Sequence, residues 1–143
     1  MAATFQVTFD AADPPALGAF WCAVLGYVAQ PPPDGFDDWD AALDAWGVPL
    51  EDRDSRHALV DPEGIGPQIW IQKVPEPKTA KNRVHLDVNV SAGIADDAAR
   101  RAAIRSEAER LASLGATVTE ELEELGAFWV VLQDPEGNEF CLQ

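Results

Sequence analysis

Three polar side chains alternate along one short stretch of the sequence: His85, Asp87 and Asn89 within RVHLDVNV. Alternate residues of a β-strand point to the same side, so we expect these three to share one face, while Val84 and Leu86 face a core. An imidazole on such a face can bind a ligand, move a proton or coordinate a metal. The alternative, of equal weight, is a histidine held by hydrogen bonds for structural reasons alone. The other histidine, in RHALVD, is interpreted as a surface or strand-edge residue.

The thiol of Cys141 is a second candidate for chemistry. A cysteine attacks a substrate or moves a proton efficiently only when its pKa is lowered, whereas free cysteines are more often buried and unreactive. We therefore favour an inert core thiol. Cys22 is the only other cysteine. Two cysteines are too few for a disulfide framework, and no signal-like or membrane-spanning apolar run is present, so we expect a cytoplasmic protein with reduced thiols.

Charge excludes some classes of partner. Ten Lys and Arg residues against twenty-five Asp and Glu residues give a net charge of -15, which repels nucleic acids and anionic membranes. Four of the basic residues, Lys73, Lys78, Lys81 and Arg83, nevertheless fall within eleven positions. They could meet an anionic ligand, but the favoured interpretation is that they pair with carboxylates of the protein itself.

The elements that must position these residues follow a repeated order. In residues 4–10 every second residue is apolar (Phe5, Val7, Phe9), which predicts a half-buried strand. Asp13-Pro14 then predicts the start of a helix and Gly26 its end.

A second helix is predicted between Asp96 or Asp97 and Leu114, with Leu114 on its buried side. It follows the RVHLDVNV strand and precedes the strand-like runs ATVTEEL, AFWVVLQ and EFCLQ. The tetrapeptide Asp-Pro-Glu-Gly occurs at 61–64 and at 134–137, between two apolar runs each time, and predicts two equivalent hairpin turns. The sequence therefore predicts an internal duplication.

The first half is longer than the second. From the helix-ending glycine to the turn aspartate there are thirty-five residues in the first half and nineteen in the second, so an insertion of about sixteen lies near residues 31–50. The spacing of Phe36, Trp39, Leu43 and Trp46 predicts a short helix with one aromatic face. We favour packing of that face onto the core, and the alternative is a lid over a binding site.

Two halves joined by VPEPKTAKNRVHLDV, with the ending LGATVTEELEELGAFWVVLQDPEGNEFCLQ, resemble the vicinal-oxygen-chelate superfamily, and within it the bacterial glyoxalase-like and bleomycin-resistance-like proteins. The resemblance implies an α+β fold in which two tandem βαβββ modules form a cup-shaped mixed sheet. It implies a single domain over 1–143, with an N-terminal module at about 4–75 and a C-terminal module at about 83–143.

Metal-dependent members of this superfamily carry four ligands on the first and last strands of the two modules. The resemblance maps these positions onto Gln6, Trp70, His85 and Cys141. An indole nitrogen donates a hydrogen bond and has no lone pair for a metal, so a divalent metal is not favoured. The alternative is a zinc site with three ligands, Gln6, His85 and Cys141, and an open position.

Two classes of function stay open at this point. One is an enzyme, a lyase, isomerase or ring-cleaving dioxygenase of glyoxalase-like type, with His85 and Cys141 as candidate catalytic residues. The other is a metal-free protein that binds or sequesters a small molecule, with Trp70 as a stacking platform. The candidate ligand-binding residues are Gln6, Trp70, Lys81, Arg83, His85 and Asp87. The resemblance also implies a homodimer, and an interaction module with an acidic surface is a further, less specific alternative.

Overall fold

The structure is a computed structural model that describes all residues, Met1–Gln143. The chain divides into two compact units, Met1–Pro77 and Lys78–Gln143. None of its helices combines the length and the apolar character that crossing a membrane requires.

The first unit contains one four-stranded sheet. Its elements are β1 (Val7–Ala11), α1 (Pro14–Leu25), β2 (Val28–Ala29), α2 (Trp39–Ala45), a short 3-10 helix (Leu50–Asp52), β3 (Arg56–Val60) and β4 (Ile69–Lys73). The strand order is β1-β4-β3-β2, with β1 parallel to β4 and the other neighbours antiparallel.

The second unit repeats this topology without the inserted helix. Its elements are β5 (Asp87–Val88), α3 (Asp97–Ser113), β6 (Thr117–Glu124), β7 (Ala127–Gln133) and β8 (Glu139–Leu142). The strand order is β5-β8-β7-β6, and again only the first pair is parallel. The prediction of an α+β fold built from two βαβββ modules is confirmed.

Local signals account for the helix ends. The Asp13 carboxylate accepts a hydrogen bond from the Ala16 amide, and Gly26 ends α1 in the left-handed region at φ 69°. Asp96 caps α3 in the same way through the Ala99 amide. Leu114, predicted to be buried, is exposed instead, because it lies beyond the last residue of α3 and outside the helical spacing that buries Ile104 and Leu111.

Both Asp-Pro-Glu-Gly segments form the predicted hairpin turns. The amides of Gly64 and Gly137 donate to the carbonyls of Asp61 and Asp134, each over 2.9 Å. Both glycines have positive φ values, which glycine adopts without a steric penalty. The aspartate carboxylates accept further backbone amides, so each turn is closed by its own side chain.

The first strand of each module is shorter than its alternation pattern predicts. Strand pairing begins at Val7 in β1 and at Asp87 in β5. Phe5 and Val84 precede these points, and because no paired strand holds them against a core they are 72% and 80% exposed. The prediction that Val84 faces the core is therefore wrong.

His57 is also placed differently from its sequence-based interpretation. It lies on β3, which has a neighbouring strand on each side, and it pairs with the buried Ile71. Its ring packs so closely on Gly18 of α1 that a Cβ at that position would collide with it. His57 is half-buried against α1 rather than on the surface, and this burial lowers its pKa.

Candidate functional site

The backbone places two pairs of residues in equivalent positions in the two units. Thr8 of β1 lies beside Trp70 of β4, and Asp87 of β5 lies beside Cys141 of β8, in parallel strand pairs in both cases. Gln6 precedes Thr8 by two residues, as His85 precedes Asp87. The strand register thus relates Gln6 and Trp70 to His85 and Cys141 by the internal duplication.

In the second unit this register brings three chemically active side chains together. The Nε2 atom of His85 lies 3.2 Å from Oδ1 of Asp87. The donor nitrogen of His85, a carboxylate oxygen of Asp87 and Sγ of Cys141 all lie within 4.8 Å of one another. Cys141 is buried, whereas the side chains of His85 and Asp87 are about half exposed. We call these three residues the β5–β8 cluster.

Burial is the largest influence on the ionisation of the Cys141 thiol, and Asp87 adds to it. Burial, the negative charge of Asp87 and a hydrogen bond from the thiol to Asp87 raise the pKa of Cys141 to about 11, and Lys81 opposes this shift. Without a bound cation the thiol is therefore neutral at pH 7 and is a poor nucleophile. Asp87 is the shared neighbour of both other members.

The cluster lies next to apolar side chains on the same face of its sheet. Val131 of β7 pairs directly with Cys141, and Trp129 lies two residues before Val131 on that face. Both are half-buried, whereas the alternating residues Phe128, Val130 and Leu132 fill the core. The sequence analysis did not identify Trp129 as a site residue, although the alternation in AFWVVLQ carries that signal.

The equivalent face of the first unit has different chemistry. Trp70 is half-buried between Thr8 and Ala58, and the Gln72 amide donates to the Asp10 carboxylate over 2.8 Å. Gln6 is exposed and precedes β1. No group of three His, Cys, Asp or Glu side chains comparable to the β5–β8 cluster occurs on this face.

The linker cations differ in their partners. Lys73 pairs with Asp54 and Lys78 pairs with Glu139, as the favoured interpretation of the basic stretch predicts. Glu139 also accepts the Asn82 amide over 3.0 Å, and these contacts lower its pKa to about 2. The contacts of Lys78 and Asn82 with Glu139 hold this part of the linker against β8.

Two cations of the same stretch, Lys81 and Arg83, form no ion pair. Lys81 is nevertheless close enough to the β5–β8 cluster for its charge to act on Cys141. Both side chains are exposed. They are therefore available to an anionic ligand at this face of the second unit.

The donor types and spacing of the β5–β8 cluster fit a divalent cation of the zinc type. Zinc in proteins takes imidazole nitrogen, thiolate sulfur and carboxylate oxygen at about 2.0–2.3 Å, which places neighbouring donors roughly 3.5 Å apart. The largest separation here is 4.8 Å, and the exposed side chains of His85 and Asp87 can rotate to shorten it. Three protein ligands with an open position are typical of catalytic zinc. The sequence analysis did not count Asp87 among the metal ligands.

Known proteins give a consistent classification. Residues 6–143 match the sequence model of a family described as a glyoxalase-like domain. No curated protein matches the chain.

Solved structures share the fold at low sequence identity. A glyoxalase/bleomycin resistance/dioxygenase family enzyme from Burkholderia phytofirmans is 18% identical, covering 96% of this chain and 94% of its own, with a TM-score of 0.62. A mutant of the fosfomycin resistance protein FosX from Listeria monocytogenes, complexed with Mn(II) and 1S,2S-dihydroxypropylphosphonic acid, is 11% identical, with coverages of 100% and 90% and a TM-score of 0.63. A possible glyoxalase from Bacillus cereus is 12% identical, with coverages of 100% and 99% and a TM-score of 0.62.

The family match covers nearly the whole chain and agrees with the fold that these solved structures share, so this chain belongs to the glyoxalase-like domain family.

Proposed function

We propose that this chain is a small-molecule enzyme, a lyase or isomerase, in which the β5–β8 cluster holds a divalent cation of the zinc type. One observation carries the proposal: nitrogen, oxygen and sulfur donors of His85, Asp87 and Cys141 lie within 4.8 Å of one another on adjacent strands. The cluster has one histidine, whereas non-haem iron oxygenases use two with a carboxylate. This donor set favours a cation without redox chemistry over a dioxygenase.

Each residue has a distinct part in the proposed reaction. The bound cation would act as a Lewis acid towards a substrate oxygen. The exposed His85 and Asp87 hold the outer side of the site, and the buried Cys141 holds its inner side. Trp129 and Val131 supply an apolar floor, and few polar groups beside apolar side chains are typical of small-molecule sites.

The unpaired cations favour an anionic substrate. Lys81 and Arg83 lie in the linker that Glu139 holds to β8. The fold relative FosX from Listeria monocytogenes was solved with Mn(II) and a phosphonic acid. We therefore propose a small oxygen-rich anion as the substrate class.

Metal binding tests the proposal directly. Untagged protein prepared without chelators is analysed by elemental mass spectrometry, and the chelator-treated protein is titrated with zinc and with cobalt(II), whose thiolate complexes absorb light. We expect near-stoichiometric metal, with affinity lowered at least about tenfold by His85→Ala or Asp87→Asn. Thr8→Ala, at the position equivalent to Asp87, is the matched control and should bind as the wild type does. Protein that neither contains nor takes up metal contradicts the proposal.

A second candidate is a metal-free binding protein. Asp87 already contacts both His85 and Cys141, so the cluster is internally satisfied without a cation. Trp70 offers an aromatic surface on the first sheet. This candidate predicts that metal-free protein binds an aromatic ligand with a change in tryptophan fluorescence that Trp70→Leu removes. A chelator that abolishes all ligand binding would leave only the enzyme proposal.

The expected homodimer is part of the proposed function. Size-exclusion chromatography with light scattering gives the molecular mass in solution, which is compared with the 15.5 kDa of one chain. A mass of one chain at all concentrations contradicts the dimer and leaves the site proposal intact.

A further inference from the structure

Aromatic rings in the insertion of the first unit remain open to solvent. Trp46 is 56% exposed and Trp39 is 37% exposed. The ring centroid of Trp46 lies 5.9 Å from that of Phe36 and 6.2 Å from that of Trp39, and both pairs are inclined at 71°. The Trp46 ring is thus adjacent to both other rings and steeply inclined to each. We call the rings of Phe36, Trp39 and Trp46 the aromatic cluster. The favoured prediction, that these aromatics pack onto the core, does not account for this exposure.

The insertion itself holds the rings in place. The Trp39 indole nitrogen donates to the Gln30 carbonyl over 2.8 Å. Arg53, with a side chain only 15% exposed, bonds to Asp40, Asp44 and the Val48 carbonyl and so closes the segment around α2. No other helix or strand packs extensively against α2. The aromatic cluster is therefore a preformed surface rather than part of the core beneath the sheet.

The surroundings of these rings are strongly negative. Residues 34–54 contain eight acidic side chains and one basic side chain, Arg53. Arg53 pairs with Asp40 and Asp44, and Lys73 pairs with Asp54, whereas Asp34 and Asp37 form no ion pair. The face of an indole ring attracts cations, and nearby carboxylates strengthen that attraction. A second copy of this acidic chain would be repelled from the same surface.

We propose that Phe36, Trp39 and Trp46 form a binding surface for a small organic cation of the quaternary ammonium type. Charge complementarity and the inclined exposed rings carry this assignment. It is independent of the β5–β8 cluster, because every residue involved belongs to the insertion of the first unit. The expected ligand carries a positive charge on an alkyl or aromatic group. The rings would contact its apolar part, and the carboxylates would attract its charge.

A matched pair of ligands tests the role of charge. Choline and 3,3-dimethylbutan-1-ol have nearly the same shape, but only choline carries a positive charge. Both are titrated into the wild-type protein while the indole N–H signals of the tryptophans are followed by nuclear magnetic resonance. We expect choline to shift the signals of Trp39 and Trp46 and to bind at least about fivefold more tightly than the neutral alcohol. Equal affinities, or no shift of either signal, overturn the proposal.

Two variants test the role of the rings. Trp46→Leu keeps an apolar side chain but removes the exposed ring, and we expect choline affinity to fall at least about fivefold. Leu50→Ala is the matched control, because Leu50 is 77% exposed in the same segment and has no ring. Thermal denaturation checks that both variants are folded. If the Trp46→Leu variant binds choline as tightly as the wild type, the proposal is overturned. It is also overturned if the wild-type protein is a dimer that the Trp46→Leu substitution dissociates but choline does not, because the rings would then contact a second chain.

Discussion

The two sheets of this protein have the same strand order and register but different side chains on the face away from their helices. Beside β1 the first unit presents Trp70, and beside β5 the second unit presents Cys141, each in a parallel pair. The inward positions next to them, Ile71 and Leu142, are fully buried in both units. The duplication thus preserves backbone and core, whereas a group of three potential metal-ligating side chains occurs in only one copy.

Truncating equivalent buried side chains in the two units should destabilise the protein to a similar extent. Ile71→Ala and Leu142→Ala each remove a fully buried aliphatic side chain at equivalent positions, so we expect each to lower the free energy of unfolding by about 2–5 kcal/mol. Denaturant unfolding followed by circular dichroism measures both. A cost below about 1 kcal/mol at either position would show that the two cores are not equivalent.

Transferring the β5–β8 cluster to the first unit should remove the chemical difference between the two sheet faces that lie away from the helices. In the triple variant Gln6→His, Thr8→Asp and Trp70→Cys, the first unit receives the residue types of the β5–β8 cluster at equivalent register positions. We expect a second equivalent of zinc, because the backbone spacing of the two parallel pairs is alike. Elemental mass spectrometry and cobalt(II) absorption measure it. Gln6→His alone is the control and should add no tight site.

The contacts of Glu139 with the linker are another difference between the units. Glu139 of β8 accepts the Asn82 amide and pairs with Lys78, whereas the equivalent residue of the first unit, immediately before β4, is the neutral Gln68. We expect Glu139→Gln to lower the free energy of unfolding by about 1–2 kcal/mol, because charged hydrogen bonds are replaced by neutral ones. Denaturant unfolding measures the loss. Glu120→Gln, at an exposed residue without an ion pair, should change little.

The smallest expected effect concerns His57, whose equivalent in the second unit is the apolar Val130. Burial lowers the pKa of His57 in the folded protein, so the unfolded chain binds the proton more tightly. Stability should therefore fall as the pH drops below the ordinary histidine pKa of about 6.5, and be fully present above it. Unfolding midpoints between pH 5 and pH 8 test this, and His57→Leu should flatten that part of the profile. A wild-type midpoint that rises on acidification over this range contradicts the prediction.

Features that depend on neighbouring residues could be predicted from the sequence. Asp13 and Asp96 cap helices through amides three residues away, and the two Asp-Pro-Glu-Gly turns close on themselves. The bounds of both long helices, both hairpins and the duplication followed from these signals. Local hydrogen bonds form in the same way wherever the segment lies, so a pattern of a few residues is sufficient.

Contacts between distant residues decided the rest. Alternation alone extended the first strands to Phe5 and Val84, but pairing with β4 and β8 begins only at Val7 and Asp87. The sequence by itself determined the two-module α+β fold and marked His85 and Cys141 as candidates. Only the tertiary structure placed Asp87 between them, packed the half-buried His57 against Gly18 and left the insertion tryptophans exposed. The reason is physical: side-chain distances across strands depend on register and packing, which residues far apart in the chain set together.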